Sequence, residues 1–351
     1  MPNKGLVFVT GASGFIGGHV VETLHLTGRR PVRAGFRQWA SCARLGRFPL
    51  DLQQVDLLDP ASIDRALAGA DAIVHCAQGP RDVIVEGTRN VLDAARRLGI
   101  GRVVHLSSCV VYGLAGGDVD ESQPLQHTGD PYTDAKIDAE KACQDAVRRG
   151  APVVVLRPPL VYGPWGADWT IKMTRRVIQG MWGPSERHGD GRCNLVYVED
   201  LMRAVLRALD SEAAVGEAFN VNGPEAISWN DYFRRIRAGL GLPDVRPVPS
   251  WQARLKVGVM APTAAFGSWV RAHHMDTVRA VAARFEPARR AMKLAERLIR
   301  GTPSPEEFAL FDREVVYRTH KARTVLGWTP RVTIDEGLKM TNAWVRAQGL
   351  V

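Results

Sequence analysis

The sequence predicts an α/β fold, a doubly wound parallel sheet followed by a smaller C-terminal α/β lobe. Apolar segments of strand length alternate with amphipathic helical segments from residue 6 to about residue 157, the pattern of repeated βαβ units. A glycine-rich loop follows the first apolar segment directly. The length of 351 residues is sufficient for one large domain and a smaller lobe.

The glycine loop, TGASGFIG at 10–17, predicts a Rossmann-type dinucleotide site. Gly11 allows the tight turn, Gly14 lets the backbone approach a pyrophosphate, and Gly17 lets the following helix pack closely on the strand. The helix N-terminus presents free N–H groups and a partial positive charge to that pyrophosphate. We therefore expect the cofactor to contact the three glycines and the other loop residues Ser13, Phe15 and Ile16.

The second strand, 31–37, ends where a Rossmann unit meets the adenosine ribose. An acidic residue there would bind the 2′-hydroxyl group, whereas an arginine accommodates a 2′-phosphate. This chain has Arg37, with Ser41 and Arg44 nearby, so NADP is favoured and NAD is the alternative. A solvated basic loop in a basic protein would also account for these residues.

Residues 54–59 are predicted to form a third strand that runs into a turn, with Asp56 beside the adenine. A short helix over 60–67 follows, and Asp59 or Ser62 could cap it.

The fourth strand, 72–77, is almost continuously apolar, as strands of a buried parallel sheet are. His75 within it is predicted to be a hydrogen-bonded core histidine rather than a ligand.

Tyr132 and Lys136 open a helix that follows the fifth strand, 102–106. They lie four residues apart, so both side chains project from one face of that helix. Two surface side chains that meet by chance would give the same spacing.

Beyond the strand at 153–157 the regular alternation ends in a loop-rich span of aromatic and basic residues. Such residues suit a sugar face or a phosphate-bearing ligand, although about half of them are expected to be structural. The substrate-binding residues predicted in this part of the chain are Tyr162, Trp165, Lys172 and Arg192.

Residues 250–315 depart from the pattern because basic residues dominate them. From residue 288 the apolar positions follow helical spacing, with arginines opposite. Residues 255–300 could therefore contact an anionic membrane surface. The alternative is a helix that packs on the lobe and exposes a solvated basic face.

The net charge of +9 suits anionic ligands, but no recognition motif for nucleic acid accompanies it. The five cysteines show no CxxC spacing, so neither a metal site nor a disulfide framework is expected. The chain starts on a core strand without an apolar leader, and no apolar run approaches the roughly 18 residues of a membrane span. These features favour a cytoplasmic protein.

Together, the motifs resemble the extended short-chain dehydrogenase/reductase family, of the NAD-dependent epimerase/dehydratase type that includes nucleotide-sugar enzymes. The resemblance covers nearly the whole chain except about 250–315. It implies a dinucleotide-binding domain at 1–165, with a returning segment at 193–222, and a substrate lobe at 166–192 and 223–351. The motifs beyond the glycine loop are VDLLD at 55–59, HCA at 75–77, EGTRNVLDAA at 86–95, HLSSCVVYG at 105–113, YTDAK at 132–136, RPPLVYGP at 157–164, VYVEDL at 196–201 and KARTVLGWTP at 321–330.

The resemblance implies roles for individual residues. Tyr132 would be the acid/base, and Lys136 would stabilise its phenolate and bind the nicotinamide ribose. Ser108 would bind the same substrate oxygen as Tyr132, with the neighbouring Ser107 as the alternative. It also implies a homodimer, formed through the helices of 85–98 and 132–149. The further contacts that it implies are Asp56, Leu57, Cys76, Ala77 and Pro159 for the cofactor and Val110 for the substrate.

Several residues depart from the family pattern. Cys109 and Val110 occupy the positions of the acidic pair of dehydratases, so sugar dehydration is not expected. Leu160 stands where nucleotide-sugar enzymes often have asparagine, and Cys193 stands where they have arginine, with Arg192 one residue earlier. These changes affect the expected substrate more than the expected reaction.

The sequence therefore predicts an NAD(P)-dependent oxidoreductase or epimerase that acts on a secondary alcohol or ketone, with a nucleotide-linked sugar as the leading substrate. The first alternative is an NADPH-dependent reductase or dehydrogenase of a hydrophobic compound, steroid-like or flavonoid-like, or of a lipid-linked sugar. The second alternative is a non-catalytic dinucleotide-binding scaffold, since a fold does not fix a function.

Overall fold

The computed structural model describes residues 5–180, 182–244, 247–249 and 303–350. The strands are β1 (Val7–Thr10), β2 (Val32–Phe36), β3 (Asp51–Gln54), β4 (Ala72–His75), β5 (Arg102–Leu106), β6 (Gly117–Val119), β7 (Val153–Arg157), β8 (Leu160–Tyr162), β9 (Arg192–Cys193), β10 (Leu195–Tyr197), β11 (Ala218–Asn220), β12 (Ile227–Ser228) and β13 (Val315–Tyr317). The helices are α1 (Phe15–Thr27), α2 (Pro60–Leu67), α3 (Arg81–Arg97), α4 (Pro131–Arg148), α5 (Met173–Ile178), α6 (Val198–Asp210), α7 (Trp229–Gly239), α8 (Pro305–Phe311), α9 (His320–Val325) and α10 (Ile334–Ala347).

The chain divides into two compact units. The first comprises Met1–Tyr162, Asn194–Glu225 and Val316–Ile334. The second comprises Gly163–Cys193, Ala226–Val315 and Asp335–Val351.

The first unit contains a seven-stranded sheet in the order β11-β7-β5-β4-β1-β2-β3, in which every pair is parallel. The central strands β1, β4, β5 and β7 are buried along their whole length, because helices cover both faces of a doubly wound sheet. The predicted fold class is confirmed. From β1 the chain builds the sheet first in one direction and then in the other, so the crevice for a ligand lies at the carboxyl ends of β1 and β4.

The predicted third strand is wrong in position. The strand is β3, which ends at Gln54, and residues 55–59 form a loop with a turn at 57–58. Val55 and Leu57 are buried there, so their alternation imitates a strand. A hydrogen bond from the N–H of Leu58 to Oδ1 of Asp56 (3.0 Å) closes the turn instead.

The starts of two helices are also defined by the structure. Asp59 caps α2 by accepting a hydrogen bond from the N–H of Ala61 (3.0 Å), whereas the hydroxyl of Ser62 accepts one from the N–H of Asp56 (3.1 Å). The helix expected from Val85 begins one turn earlier, at Arg81.

The segment Val316–Ile334 belongs to the first compact unit, whereas the substrate lobe predicted from the sequence includes all of 223–351. Within this segment, the indole N–H of Trp328 donates a hydrogen bond to the backbone oxygen of Asp200 (3.0 Å). The N–H groups of Arg331 and Val332 donate to the carboxylate of the same aspartate, each at 2.9 Å. The buried Asp200 thus holds the segment against the first unit.

The second unit has an aromatic core. The ring of Trp229, at the start of α7, lies 4.5 Å from that of Phe311 in α8, and Phe233 packs against both. The short strands β9 and β12 pair antiparallel beside it.

The basic helix and the membrane contact that the sequence predicts for 255–300 lie outside the described residues. None of the helices in the described ranges is long and apolar enough to cross a membrane.

Candidate active site

The glycine loop leaves no room for side chains where it meets the end of β4. Gly11 has φ 63°, and a Cβ atom there would lie 2.8 Å from the Cα of Ala77. A Cβ atom on Gly17 would collide with the carbonyl of Gly11. Both positions therefore require glycine, and the loop is a cradle of the kind that a dinucleotide needs.

The tip of the loop is open at the N-terminus of α1. Gly14 is exposed and precedes the first helical residue, while Ser13, Phe15 and Ile16 are half-buried around it. No side-chain cap is present at this helix end in the described structure. The first N–H groups of α1 can therefore donate to a phosphate.

Thr10 fastens the glycine loop to the next strand. Its hydroxyl oxygen accepts hydrogen bonds from the N–H groups of Cys76 (3.1 Å) and Ala77 (3.3 Å). It also lies 2.8 Å from Nδ1 of His75. Because both acceptor sites of the hydroxyl are used, its own proton is donated to that nitrogen.

This assignment fixes the tautomer of His75. The proton of the ring lies on Nε2, which donates to the hydroxyl of Thr88 (3.0 Å), and Thr88 donates in turn to the carbonyl of Ile84 (2.6 Å). Burial, followed by the charge of Lys136, lowers the pKa of His75 to about 3. The histidine is thus a neutral, hydrogen-bonded core residue, as the sequence predicts, and it joins the glycine loop to α3.

The predicted adenosine contacts lie at the ends of β2 and β3. Arg37 and Asp56 are exposed, and Leu57 is buried beneath them. Arg44 is not available to a phosphate, because its guanidinium is buried and forms an ion pair with Glu22 (2.6 Å). Of the two arginines expected near the 2′-phosphate, Arg37 is therefore the exposed one.

The predicted catalytic residues all belong to the first unit. Ser108 is 8% exposed, and its hydroxyl accepts from the N–H of Val110 (3.3 Å), which caps the turn Cys109–Tyr112. Tyr132 is 37% exposed at the start of α4, and its hydroxyl accepts from the amide of Gln78 (3.3 Å).

Lys136 is buried behind Tyr132. Its Nζ atom lies 5.9 Å from the centre of the Tyr132 ring and donates to the carbonyl of Leu106 (2.9 Å). Leu106 ends β5, two residues before Ser108, so this bond connects the helix of Tyr132 with the serine turn. Burial lowers the pKa of Lys136 to about 8.

A buried polar network that sequence reasoning missed also connects these elements. The guanidinium of Arg157 pairs with Glu140 of α4 (2.6 Å) and donates to the hydroxyl of Tyr112 (2.8 Å), which donates to Asn220 (2.6 Å). The signal for it was an arginine at the end of an apolar strand and a glutamate one helical turn after Lys136.

The remaining predicted contacts of the first unit differ in exposure. Val110 and Pro159 are half-buried, as are Cys76 and Ala77 at the end of β4. Tyr162 is 1% exposed, and its ring packs edge-on against another tyrosine ring at 5.4 Å.

The other predicted substrate contacts lie in the second unit, where ion pairs engage the charged ones. Lys172 pairs with Glu307 (2.8 Å), and Arg192 pairs with Glu314 (3.3 Å). The backbone of Trp165 has a φ of 71°, and the centre of its ring lies 5.5 Å from that of another tryptophan ring. Among the described residues, no cluster of side chains is suited to holding a metal ion.

Comparisons with known proteins identify the family and several relatives of this chain. Residues 7–222 match the model of the NAD dependent epimerase/dehydratase family. The chain is 25% identical to 2-alkyl-3-oxoalkanoate reductase from Stenotrophomonas maltophilia over 96% of its length and 98% of the relative. It is 30% identical to cinnamoyl-CoA reductase 1 from Oryza sativa subsp. japonica, over 61% of this chain and 70% of the relative.

A solved structure shares the fold over nearly the full length. UDP-glucose 4-epimerase from Thermotoga maritima, with UDP-glucose, superposes with a TM-score of 0.73 at 21% identity. The match covers 98% of this chain and 99% of that one.

Proposed function

The chain belongs to the NAD dependent epimerase/dehydratase family, and we propose that it is an NADPH-dependent reductase of a ketone on an apolar carbon skeleton. The observation that carries the reaction class is the pairing on α4 of a solvent-reaching phenol, Tyr132, with a buried ammonium group, Lys136. A group of this kind can hold and release a proton at a carbonyl oxygen.

When bound, a nicotinamide cofactor would supply the hydride for the reduction of the carbonyl group, which is the chemistry of the cofactor itself. Gly11, Gly14 and the first turn of α1 would hold its pyrophosphate, and Lys136 would bind its ribose. The fit rests on the glycine cradle and on the uncapped N-terminus of α1.

Tyr132 donates the proton that completes the reduction of the carbonyl to an alcohol. The ordinary pKa of a tyrosine is about 10, so the phenolate is costly near neutral pH. The positive charge of Lys136 lowers that cost, and Ser108 donates a hydrogen bond to the same substrate oxygen. Solvent can return a proton to Tyr132 because the residue is 37% exposed.

The proposed substrate class rests on relatives and on the residues beside Ser108. Two relatives are named as reductases, one of 2-alkyl-3-oxoalkanoates and one of cinnamoyl-CoA. Cys109 and Val110 replace the acidic pair expected of a dehydratase, and Leu160 replaces a common contact of nucleotide sugars. The 3-oxo acid of the first relative is a ketone and cinnamoyl-CoA has an apolar skeleton, so these relatives and Leu160 favour an apolar ketone over a nucleotide-linked sugar, whereas Cys109 and Val110 argue only against dehydration.

The second candidate is an epimerase of a nucleotide-linked sugar. Its support is the aromatic and basic character of the second unit, in which Trp165, Lys172 and Arg192 would contact the substrate. In that reaction Tyr132 would first accept the proton of a carbinol and later return it. Within either reaction we propose that the second unit binds the substrate and that two chains pair through α3 and α4.

The test is to identify any dinucleotide released from the denatured, purified protein and then to assay ketones and nucleotide sugars. An empty protein that binds NADPH better than NADH and consumes it with 3-oxo acids or their thioesters would support the reductase. Tightly retained NAD together with interconversion of UDP-sugar 4-epimers would contradict the reductase and support the epimerase. Binding of a dinucleotide without turnover of any of these compounds would support the scaffold.

A further inference from the structure

Lys136 is a buried ammonium group whose surroundings decide whether it stays charged. It is 2% exposed, and its hydrogen bond in the described structure is the one to the carbonyl of Leu106. Titratable groups face it from β4 and the residue after it, from β5 and from α4 itself. They are His75, Cys76, His105, Tyr132, Glu140 and Cys143.

Four of these groups are uncharged near neutral pH. Burial raises the pKa of the Cys76 thiol to about 12 and that of the Cys143 thiol further still. Burial also lowers the pKa of His75 to about 3 and that of His105 well below its ordinary value. None of the four can therefore balance the positive charge of Lys136.

Glu140 is different because its carboxylate forms a buried ion pair with Arg157 (2.6 Å). It is 1% exposed and lies one helical turn after Lys136, on the same face of α4. Both of its oxygens accept hydrogen bonds from Arg157, at 2.6 Å from Nη2 and 3.1 Å from Nε. Hydrogen bonds from one guanidinium to both oxygens fix the position and orientation of the carboxylate.

We propose that Glu140, held by Arg157, is a positioning residue that keeps the buried Lys136 protonated beside Tyr132. Burial alone favours the neutral amine, and a fixed negative charge one turn away opposes that preference. The importance of this charge for catalysis rests on the proposed function, in which the ammonium group stabilises the phenolate of Tyr132.

The experiment follows the titration of Lys136 directly, by NMR of the ¹³Cε resonance in protein labelled at lysine. The resonance is assigned with the variant Lys136→Met. In Glu140→Gln we expect the titration of Lys136 to move to lower pH by about one unit or more, because the negative charge one helical turn away is lost. In Glu140→Asp, which keeps the charge, we expect most of that shift to be absent.

Glu22→Gln is the matched control, because Glu22 also forms an ion pair with a buried arginine of the first unit, Arg44. It should lower thermal stability without moving the Lys136 titration. If the role of Glu140 were purely structural, both Glu140→Gln and Glu22→Gln would lower thermal stability and leave the titration of Lys136 unchanged. An unshifted titration of Lys136 in folded Glu140→Gln would overturn the proposal.

If Glu140→Gln does not fold, the double variant Glu140→Leu/Arg157→Met replaces the whole pair by apolar side chains, a change that folded proteins often tolerate. It should also lower the titration pH of Lys136, and an unchanged titration would overturn the proposal equally. Because the titration requires no substrate, its outcome is separate from that of the proposed reaction. If the wild-type protein reduced no ketone, the proposed reaction would be contradicted. The proposed effect of Glu140 on the charge of Lys136 would not be affected.

Discussion

The Nζ atom of Lys136 lies 5.9 Å from the centre of the Tyr132 ring, although the lysine is buried and the tyrosine is 37% exposed. One helical turn of α4 thus carries a charge in the protein interior and a phenol that reaches solvent. A charge acts more strongly in the interior because the dielectric constant there is lower than in water. The arrangement suits a proton donor that must meet a substrate at the surface.

The preference for NADP can be tested at Arg37, which is exposed after β2. The variant Arg37→Gln should weaken NADPH binding about 10- to 100-fold, because a charge-assisted hydrogen bond to the 2′-phosphate is lost. Binding of NADH should hardly change. Isothermal titration of both dinucleotides measures the difference, and Arg65→Gln, another exposed arginine of the first unit, is the control for a general loss of charge. Equal weakening for both dinucleotides would contradict the preference.

The glycine cradle can be tested by comparing two glycines with nearly the same backbone conformation. Gly11 has φ 63° and Gly28 has φ 60°, but a Cβ atom meets backbone atoms only at Gly11. Gly28→Ala should lower the free energy of unfolding by about 1–2 kcal/mol, the cost of a left-handed alanine. Gly11→Ala should lower it further and abolish dinucleotide binding. Urea unfolding and dinucleotide titration measure both effects, and unchanged binding in Gly11→Ala would contradict the cradle.

The buried His75 predicts a loss of stability in acid. Burial lowers its pKa from the ordinary 6.5 to about 3 in the folded protein. The unfolded chain therefore binds a proton that the folded chain does not, so the stabilisation is complete above pH 6.5 and decreases as the pH falls towards 3. At pH 5 the loss amounts to about 2 kcal/mol.

The measurement is the free energy of unfolding in urea at pH 7 and pH 5. In His75→Gln the difference between the two values should shrink by about 2 kcal/mol. In His320→Gln, where the histidine is exposed, it should stay as in the wild type. The same pH dependence in His75→Gln and in the wild type would show that His75 does not remain neutral.

The sheet and the glycine loop could be predicted because local sequence determines them. The glycines at 11, 14 and 17 come directly after an apolar strand and before an amphipathic helix, and this order predicts the loop. The place of His75 in an apolar strand predicts a core residue. The sequence predicts a strand beyond residue 54 because Val55 and Leu57 alternate like strand residues, although they are buried in a loop.

Other features depend on contacts between distant residues, which a single sequence does not reveal. Arg157 and Glu140 are 17 residues apart and form an ion pair only because β7 and α4 meet. Lys172 is 135 residues from its partner Glu307. For this reason the sequence could not show that the charge of Lys172 is already paired within the second unit.

The variant Tyr132→Phe tests the central claim most directly. It removes the hydroxyl group and keeps the aromatic ring beside Lys136, so the dinucleotide site at the ends of β1 and β4 should be unaffected. With the substrate found by assay, we expect kcat to fall by at least about 100-fold, as for the loss of a general acid, with the dissociation constant for NADPH within about twofold of the wild type. Turnover at the wild-type rate would contradict the assignment of Tyr132 as the proton donor and, with it, the proposed mechanism.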